Sequence, residues 1–237
     1  MQDSSGMSIR NTAEDPLEKR NGPDCFHLIS REEFESLHRN QTELSYERGE
    51  HIFKQGAFAP HVLFIQTGLV KVYLHTGARK HLNLWIARSG DFLAFSTIFG
   101  KETYPYSAVA IKDSELMMIE KESLKALIRT NPEFALRITS KNYGTEQHLL
   151  DIVTNLSYKQ MRGKLSSCLL YLSSAPLLRE GIFRCLSRQD IADFASISVE
   201  NVVRFLKEFE QEGIIQLDGK DIKIADREKL SSISNTG

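Results

Sequence analysis

Four side chains near residue 200 combine hydrogen-bonding groups with apolar methyl groups: Val199, Glu200, Val203 and Arg204. They form two adjacent pairs four residues apart, so in a helix they project together from one face. The guanidinium of Arg204 can bind guanine through two parallel hydrogen bonds, and the carboxylate of Glu200 can accept from the amino group of cytosine. The methyl groups of Val199 can contact thymine. This combination predicts a helix that reads base edges in a major groove.

A second interpretation of this helix stays open. Glu200 and Arg204 have the spacing of an i, i+4 ion pair on a solvated face that contacts no DNA. A capped helix before this one and a hairpin after it favour the first interpretation, and Arg188, Gln189 and Lys207 are placed to meet phosphates. The full set predicted to contact DNA is Arg188, Gln189, Ser198, Val199, Glu200, Asn201, Val203, Arg204 and Lys207.

Two helices are predicted to position these residues. Ser187 and Asp190 have the spacing of a capping box, which predicts a short helix that ends near Phe194. Ser198 can cap a second helix, predicted over residues 199–212. Two helices joined by such a tight connection form a helix-turn-helix.

A hairpin is predicted to follow the second helix. Gly213 is a natural residue to end that helix, and residues 214–224 alternate apolar and polar side chains around Asp218-Gly219. Asp-Gly favours the type I′ turn of a two-residue hairpin loop. The whole unit is therefore predicted to be a winged helix-turn-helix, an arrangement used mainly to bind DNA.

The N-terminal part of the chain has the pattern of a β domain. Residues 44–119 contain recurrent glycines and short segments rich in β-branched and aromatic residues, such as 61–66 and 69–74. Short strands at this spacing predict an antiparallel sandwich or barrel. A short helix is predicted from Ser30, and the polar residues 1–25 are predicted to be disordered because they offer little apolar surface to bury.

A long helix is predicted between the β domain and the helix-turn-helix, where apolar residues follow a heptad from 135 to 156. Five of the seven a and d positions are apolar, and an Asn at an a position is typical of a two-stranded coiled coil. We predict a dimer interface here, while an ordinary amphipathic helix on the sheet remains the alternative. The interface positions are Ala135, Ile138, Asn142, Thr145, Leu149, Ile152 and Leu156.

Composition and motif content argue against several other classes of protein. The 237 residues carry a net charge of −1 and three widely spaced cysteines, so neither a basic global field, a disulfide framework nor a cysteine-rich metal site is expected. The longest apolar runs are far shorter than the roughly 20 residues that span a bilayer, and no signal peptide is apparent. No nucleophile, base and orienting residue stand out as a catalytic set. We expect a cytoplasmic protein that is not an enzyme and binds no membrane or metal.

Residues 28–225 resemble the CRP/FNR family of bacterial transcription regulators. The resemblance rests on five segments in family order: residues 49–56 (GEHIFKQG), 66–72 (QTGLVKV), 90–92 (GDF), 186–192 (LSRQDIA) and 198–206 (SVENVVRFL). It implies an α+β fold. An N-terminal double-stranded β-helix, the cyclic-nucleotide-binding-like β-roll, would be followed by a long dimerisation helix and a C-terminal winged helix-turn-helix. The expected boundaries are 1–25 for the tail, 26–131 for the β-roll and flanking helices, 132–156 for the dimerisation helix and 157–237 for the DNA-binding domain.

The positions that contact cAMP in this family differ in this chain. Phe95 stands where a Glu holds the ribose hydroxyl, Tyr106-Ser107 replaces the Arg-Ser pair of the cyclic phosphate, and Leu149-Leu150 replaces the adenine-contacting Thr-Ser pair. Burying a phosphate without a cation costs several kcal/mol, so cAMP dependence is not expected. The degenerate effector pocket is predicted to comprise Phe95, Ser96, Tyr106, Ser107, Leu149 and Leu150.

Two kinds of effector remain open. Either the pocket is filled and the protein is active without a ligand, or an apolar ligand or haem occupies it, with His148 as the candidate axial ligand. Cys25 is the only cysteine in the N-terminal region, so the family's Fe–S cluster is not expected, and no cofactor is predicted. His75 and His81 are interpreted as solvated loop residues because no third metal ligand accompanies them.

The residues of the second helix also suggest a target sequence. Val199, Glu200 and Arg204 are similar to the oxygen-sensing branch of the family, which implies an inverted repeat of TTGA-like half-sites read by a homodimer. RNA polymerase is the expected protein partner. A β-roll interaction protein that binds no DNA is the more remote alternative.

Overall fold

The computed structural model describes residues 28–38, 42–77 and 80–236. The tail predicted to be disordered, residues 1–25, lies outside these ranges. Within them, the N-terminal half contains a six-stranded antiparallel sheet preceded by a helix. Its elements are α1 Arg31–His38, β1 Thr42–Tyr46, β2 His51–Phe53, β3 His61–Gly77, β4 Lys80–Arg88, β5 Phe92–Leu93, a 3₁₀ helix at Phe95–Phe99, and β6 Ser107–Glu120.

The sheet is built on two long strands, β3 and β6. The strand order is β1-β6-β3-β4, with β2 paired to β6 and β5 paired to β3, and all pairs are antiparallel. The β3–β6 ladder shifts register around Thr67–Leu69. Gly68 makes this possible: its φ is +97°, and an added Cβ would lie 2.2 Å from the Oγ of Ser114. The predicted antiparallel β domain is confirmed.

Two helices follow the last strand of the sheet, α2 Lys121–Thr130 and α3 Pro132–Tyr158. Asn131 begins α3, because its side chain accepts a hydrogen bond from the backbone N–H of Phe134 at 3.0 Å. Pro132 follows at the first helical position, where its missing N–H costs nothing. The 27 residues of α3 give a length of roughly 40 Å, enough to run from the sheet to the C-terminal half.

The C-terminal half is mainly helical and closes with a hairpin. Its elements are α4 Met161–Leu172, α5 Ala175–Arg179, α6 Ile182–Cys185, α7 Arg188–Ala195, α8 Val199–Gln211, β7 Ile215–Asp218, β8 Asp221–Ile224 and α9 Arg227–Thr236. The sequence around 179–186 suggests a short strand, but helix α6 occupies it. Its neighbouring residues Ile182 and Phe183 are both buried in one core, whereas a strand would direct them to opposite faces.

The two halves share buried apolar surface. The largest buried cluster, around α4, α7 and α8, also contains Leu69, Ile86 and Ile111 from the sheet. The sheet therefore packs directly against the helical half, in addition to being joined to it through α3.

Candidate DNA-binding surface and effector cavity

Helices α7 and α8 form the predicted helix-turn-helix. The capping box that begins α7 is present, with the backbone N–H of Asp190 donating to the Oγ of Ser187 at 3.1 Å and the Ser187 N–H donating back to the Asp190 carboxylate at 2.8 Å. Ser198 caps α8 by accepting from the N–H of Asn201 at 3.3 Å. Gly213, with φ +71°, ends that helix. Local sequence signals therefore fix both helices.

Helix α8 buries one face and exposes the other. Val202, Phe205, Leu206 and Phe209 point into the core, while Glu200, Val203, Arg204 and Lys207 are exposed. Val203 is an exposed aliphatic residue, with 39% of its surface accessible. Val199 is only half-buried and packs against the core, so it offers less methyl surface than expected. The predicted base-reading side chains thus share one solvent-facing strip.

Arg204 lies along its own helix. Its guanidinium donates to the Oδ1 of Asn201 at 3.0 Å, stacks over the ring of Phe205 at 4.3 Å and pairs with Glu208 at 3.4 Å. Among the described residues, Arg204 therefore pairs with Glu208 and not with Glu200, the partner that the alternative interpretation expected. Exposed pairs of this kind contribute about 0.2–1 kcal/mol, so Arg204 can exchange them for a base at small cost.

Of the three side chains predicted to contact phosphates, Arg188 and Gln189 make hydrogen bonds within the chain, and Lys207 is exposed. The guanidinium of Arg188 donates to the carbonyls of Gly219 at 3.0 Å and Lys220 at 3.4 Å, which ties α7 to the turn of the hairpin. Gln189 donates to the Oδ1 of Asp193 at 2.8 Å, whereas Lys207 is exposed. Sequence reasoning missed two exposed cations, Lys220 and Lys223, although both lie within the predicted hairpin of residues 214–224.

An ion pair joins the sheet to the first helix of the helix-turn-helix. The ammonium of Lys71 on β3 contacts the Oδ1 of Asp190, and the Nδ2 of Asn83 on β4 donates to the Asp190 carbonyl at 2.9 Å. Burial alone would raise the pKa of Asp190, but the charge of Lys71 and the hydrogen bonds from Lys71 and Ser187 hold it below its ordinary value. We call this contact of Lys71, Asn83 and Asp190 the sheet–helix junction.

Removing the cation from the junction should reverse the direction in which the pKa of Asp190 is shifted. In Lys71→Met, burial dominates, so we expect the pKa of Asp190 to rise above its ordinary value and stability at pH 7 to fall by about 1–3 kcal/mol. In the unmodified protein a lowered pKa means that the pair stabilises the fold at neutral pH, and this contribution is lost as pH falls toward the lowered value. NMR titration of the Asp190 carboxyl carbon measures the shift.

Lys112→Met is the matched control, because it removes the exposed Lys112–Glu180 pair between the same two halves, which spans 2.9 Å. It should cost no more than about 1 kcal/mol. Equal effects of the two substitutions would contradict a special role for the junction.

The long helix α3 has two apolar faces. Ile138 is 2% exposed, and Leu149 and Ile152 pack against the apolar cluster of the sheet. Thr145 and Leu156 also face the interior of the chain, and Ala135 is half-buried. The predicted interface is therefore wrong at Ile138, which has no surface left for a partner. The side chain of Asn142 lies outside the described part.

A different stripe of α3 is exposed. Leu136, Leu150 and Val153 keep 73%, 55% and 59% of their surfaces accessible. Leu136 and Leu150 are fourteen residues apart and Val153 follows three later, so all three lie on one face of the helix. We refer to Leu136, Leu150 and Val153 as the exposed stripe.

A cavity of about 620 Å³ lies between the sheet, α3 and α4. Four of the predicted pocket residues line it: Phe95, Ser96, Tyr106 and Leu149. The other two do not line it in the single chain. Ser107 is fully buried and accepts a hydrogen bond from the N–H of Gln55 at 2.9 Å, while Leu150 belongs to the exposed stripe. Neighbouring residues on a strand face opposite sides, and neighbouring residues on a helix diverge by about 100°.

Sequence reasoning missed much of the cavity wall. Trp85 of β4 contributes its ring 5.1 Å from that of Tyr106, in an edge-to-face arrangement. Tyr171 of α4 also lines the cavity, although it belongs to the C-terminal half. Lys141 of α3 lies at its edge and pairs with Asp91 at 3.1 Å.

The structure gives the positions of the histidines considered as ligands. His148 lines the cavity, but its Nε2 is 2.9 Å from the carbonyl of Leu84 and its ring stacks on Tyr171. His75 and His81 are exposed as expected, but they lie on strands and not in a loop, and they face each other across the β3–β4 ladder. Burial and the charge of His75 lower the pKa of His81. Among the described residues, no group of three or more His, Cys, Asp and Glu side chains is positioned to hold a metal ion.

Comparison with known proteins agrees with both halves of this architecture. The family model described as Cyclic nucleotide-binding domain matches residues 43–131, and the model described as Crp-like helix-turn-helix domain matches residues 163–233. No helix between residues 28 and 236 that the structure describes has both the length and the apolar character to traverse a bilayer.

Similar proteins and structures have the same organisation. The Anaerobic regulatory protein of Bacillus subtilis is 27% identical over 201 residues, covering 83% of this chain and 84% of that protein. The cAMP-activated global transcriptional regulator CRP of Salmonella typhimurium is 27% identical over 177 residues, 73% of this chain and 84% of that protein. The structure of FixK2 from Bradyrhizobium japonicum shares the fold, with a TM-score of 0.69 at 23% identity over 83% of this chain and 98% of that chain. With its N-terminal β-sheet domain, long helix and winged helix-turn-helix, the chain belongs to the CRP/FNR family and is a DNA-binding transcriptional regulator of that family.

Proposed function

We propose that this protein works as a homodimer that reads an inverted repeat of TTGA-like half-sites with helix α8. The observation that carries this proposal is the solvent-facing strip of α8, where Glu200, Val203 and Arg204 stand opposite a fully buried face. Arg204 suits the guanine of each half-site, and Val203 offers methyl groups to thymine. Lys207 and the hairpin residues Lys220 and Lys223 are exposed cations for phosphate contacts.

The exposed stripe of α3 supports the homodimer. Leu136, Leu150 and Val153 place aliphatic side chains in water along about five turns of one helix, and a second copy of the same stripe would remove them from it. This assignment moves the interface by one position from the heptad expected on sequence. A symmetric pair presents two copies of α8, as an inverted repeat requires.

The cavity supports regulation without a cyclic nucleotide. Lys141 is the only Lys or Arg among the described lining residues, and the carboxylate of Asp91 already pairs with it. A cyclic phosphate would therefore enter an aromatic site without a free cation. We propose no cofactor, because haem ligation by His148 would have to break its contact with the Leu84 carbonyl. The protein acts by binding rather than catalysis, in the cytoplasm, with RNA polymerase as its partner.

A titration with two duplexes tests the proposed target. We expect a palindrome of TTGA half-sites to bind at least 100-fold more tightly than a scrambled duplex of equal length, measured by fluorescence anisotropy at ~0.15 M salt. Adding cAMP should leave the affinity unchanged. Equal affinity for both duplexes would contradict the half-site assignment, and binding to neither would favour the remote alternative of a β-roll interaction protein.

A second function, sensing of an apolar ligand, is favoured by the cavity itself. Its volume of about 620 Å³ lies within the usual range for small-molecule sites.

A further inference from the structure

The cavity wall combines aromatic surface with little available positive charge. Trp85, Phe92, Phe95 and Tyr106 line the cavity together with Leu149. Two carboxylates, Asp91 and Glu146, also reach it, and the ammonium of Lys141 is paired with the first of them. An anion would lose its water here without gaining a free cation, whereas a neutral aromatic molecule could stack on the walls.

Two tyrosine hydroxyls add hydrogen-bond donors to this apolar wall. The hydroxyl oxygen of Tyr106 accepts from the N–H of Ala94 at 2.7 Å, and that of Tyr171 accepts from the N–H of Ile86 at 2.9 Å. Each phenol still has an O–H to donate, and no described residue accepts either one. Burial raises the pKa of Tyr106 to about 12 and raises that of Tyr171 as well, so both remain O–H donors at neutral pH.

Tyr171 connects the cavity to the helix-turn-helix. It lies on α4, within the C-terminal half, yet its ring stacks on His148 of α3 with centroids 4.2 Å apart. Its other side approaches the ring of Phe194 on α7, with centroids 6.0 Å apart. One side chain therefore touches the effector cavity, the long helix and the first helix of the DNA-binding motif.

We infer that the cavity binds a small uncharged aromatic molecule carrying a carbonyl-type hydrogen-bond acceptor, and that Tyr171 transmits its occupancy directly to α7. The acceptor would take the free O–H of Tyr171, the side chain that also contacts α7, while the aromatic rings of the wall pack against its faces. This inference rests on the proposed function, since it names the ligand class and the relay for a regulator that reads DNA.

Trp85 provides a direct test, because it is the single tryptophan of the chain and lines the cavity. We expect chromone, flavone or xanthone, which are neutral aromatic ketones, to shorten the fluorescence lifetime of Trp85 in the full-length protein with saturation. Chromone-2-carboxylate should bind at least tenfold more weakly than chromone. Saturation by none of the three ketones, or binding of the carboxylate as tight as that of chromone, would overturn the ligand class.

The relay is tested with Tyr171→Phe, which keeps the ring and removes the hydroxyl. In the unmodified protein, the saturating ketone should slow hydrogen exchange of the α7 amides at least threefold, and this effect should be absent in Tyr171→Phe. Tyr46→Phe, a change on β1 outside the cavity, is the matched control and should respond as the unmodified protein does. An undiminished response in Tyr171→Phe would overturn the relay.

Both measurements are made without DNA. They therefore test the ligand class and the relay even if the palindrome titration contradicts the proposed target. Conversely, tight palindrome binding with no ketone binding would leave the DNA assignment intact and reject the ligand class alone.

Discussion

Replacing Arg204 with alanine is expected to weaken binding to the TTGA palindrome by about 5- to 150-fold, the 1–3 kcal/mol of a bidentate Arg–guanine contact. Binding to scrambled DNA should change much less, because the lost interaction specifies sequence. Arg204→Lys should rescue little of the loss, since an ammonium keeps the charge but lacks the planar fork. Fluorescence anisotropy with both duplexes measures the two effects together.

Folding should not account for this loss. Arg204 is itself exposed and contacts Asn201, Glu208 and the ring of Phe205, so its removal should cost about 1 kcal/mol of stability. Arg179→Ala is the matched control, because it removes an exposed arginine of α5 in the same half, away from α8. An equal loss for palindrome and scrambled duplex would show that Arg204 contacts phosphate instead of a base.

Placing a carboxylate in the exposed stripe should separate the dimer. Leu150→Glu would bring two carboxylates together in an apolar interface, where an uncompensated charge costs several kcal/mol. We expect the dimer dissociation constant to rise at least 100-fold, measured by sedimentation velocity, and palindrome affinity to fall with it. The monomer should stay folded, because Leu150 is already 55% exposed.

Arg137→Glu introduces the same residue on the same helix and serves as its control. Arg137 is exposed and lies away from the stripe, so its substitution should leave the dimer intact. A dimer that survives Leu150→Glu at micromolar concentration would contradict the assigned interface.

Local signals explain why the DNA-binding half was predictable. The Ser187–Asp190 capping box, the Ser198 cap and the Gly213 stop each act within a few residues, and the structure shows all three. The Asp218-Gly219 turn likewise joins the two strands of the wing, with Gly219 at φ +58°. Such signals do not depend on the rest of the fold, so the sequence alone was sufficient.

Which face of α3 meets the sheet was not predictable in this way. Helix α3 is apolar on two faces, and a heptad count cannot tell which face meets the sheet of the same chain. Ile138 and Ile152 turned out to face inward, while Leu136 and Val153 remain exposed. Only the packing of the sheet against α3 separates the two sets.

Long-range contacts were also invisible in the sequence. Lys71 and Asp190 are 119 residues apart, and neither residue type alone suggests the junction. Tyr171 lies 65 residues from Tyr106, yet both line one cavity. The family resemblance assigned Ser107 and Leu150 to the pocket as members of sequence pairs, but adjacency in sequence does not place neighbouring side chains on the same side of an element.

The most direct test of the account is methylation interference on the TTGA palindrome. The central claim is that α8 of each subunit lies in a major groove, where N7 of guanine is exposed. We predict that N7-methylation of the guanine in either half-site abolishes binding, while N3-methylation of the adenines, which lies in the minor groove, leaves it intact. Interference confined to the minor groove, or to one half-site only, would contradict it.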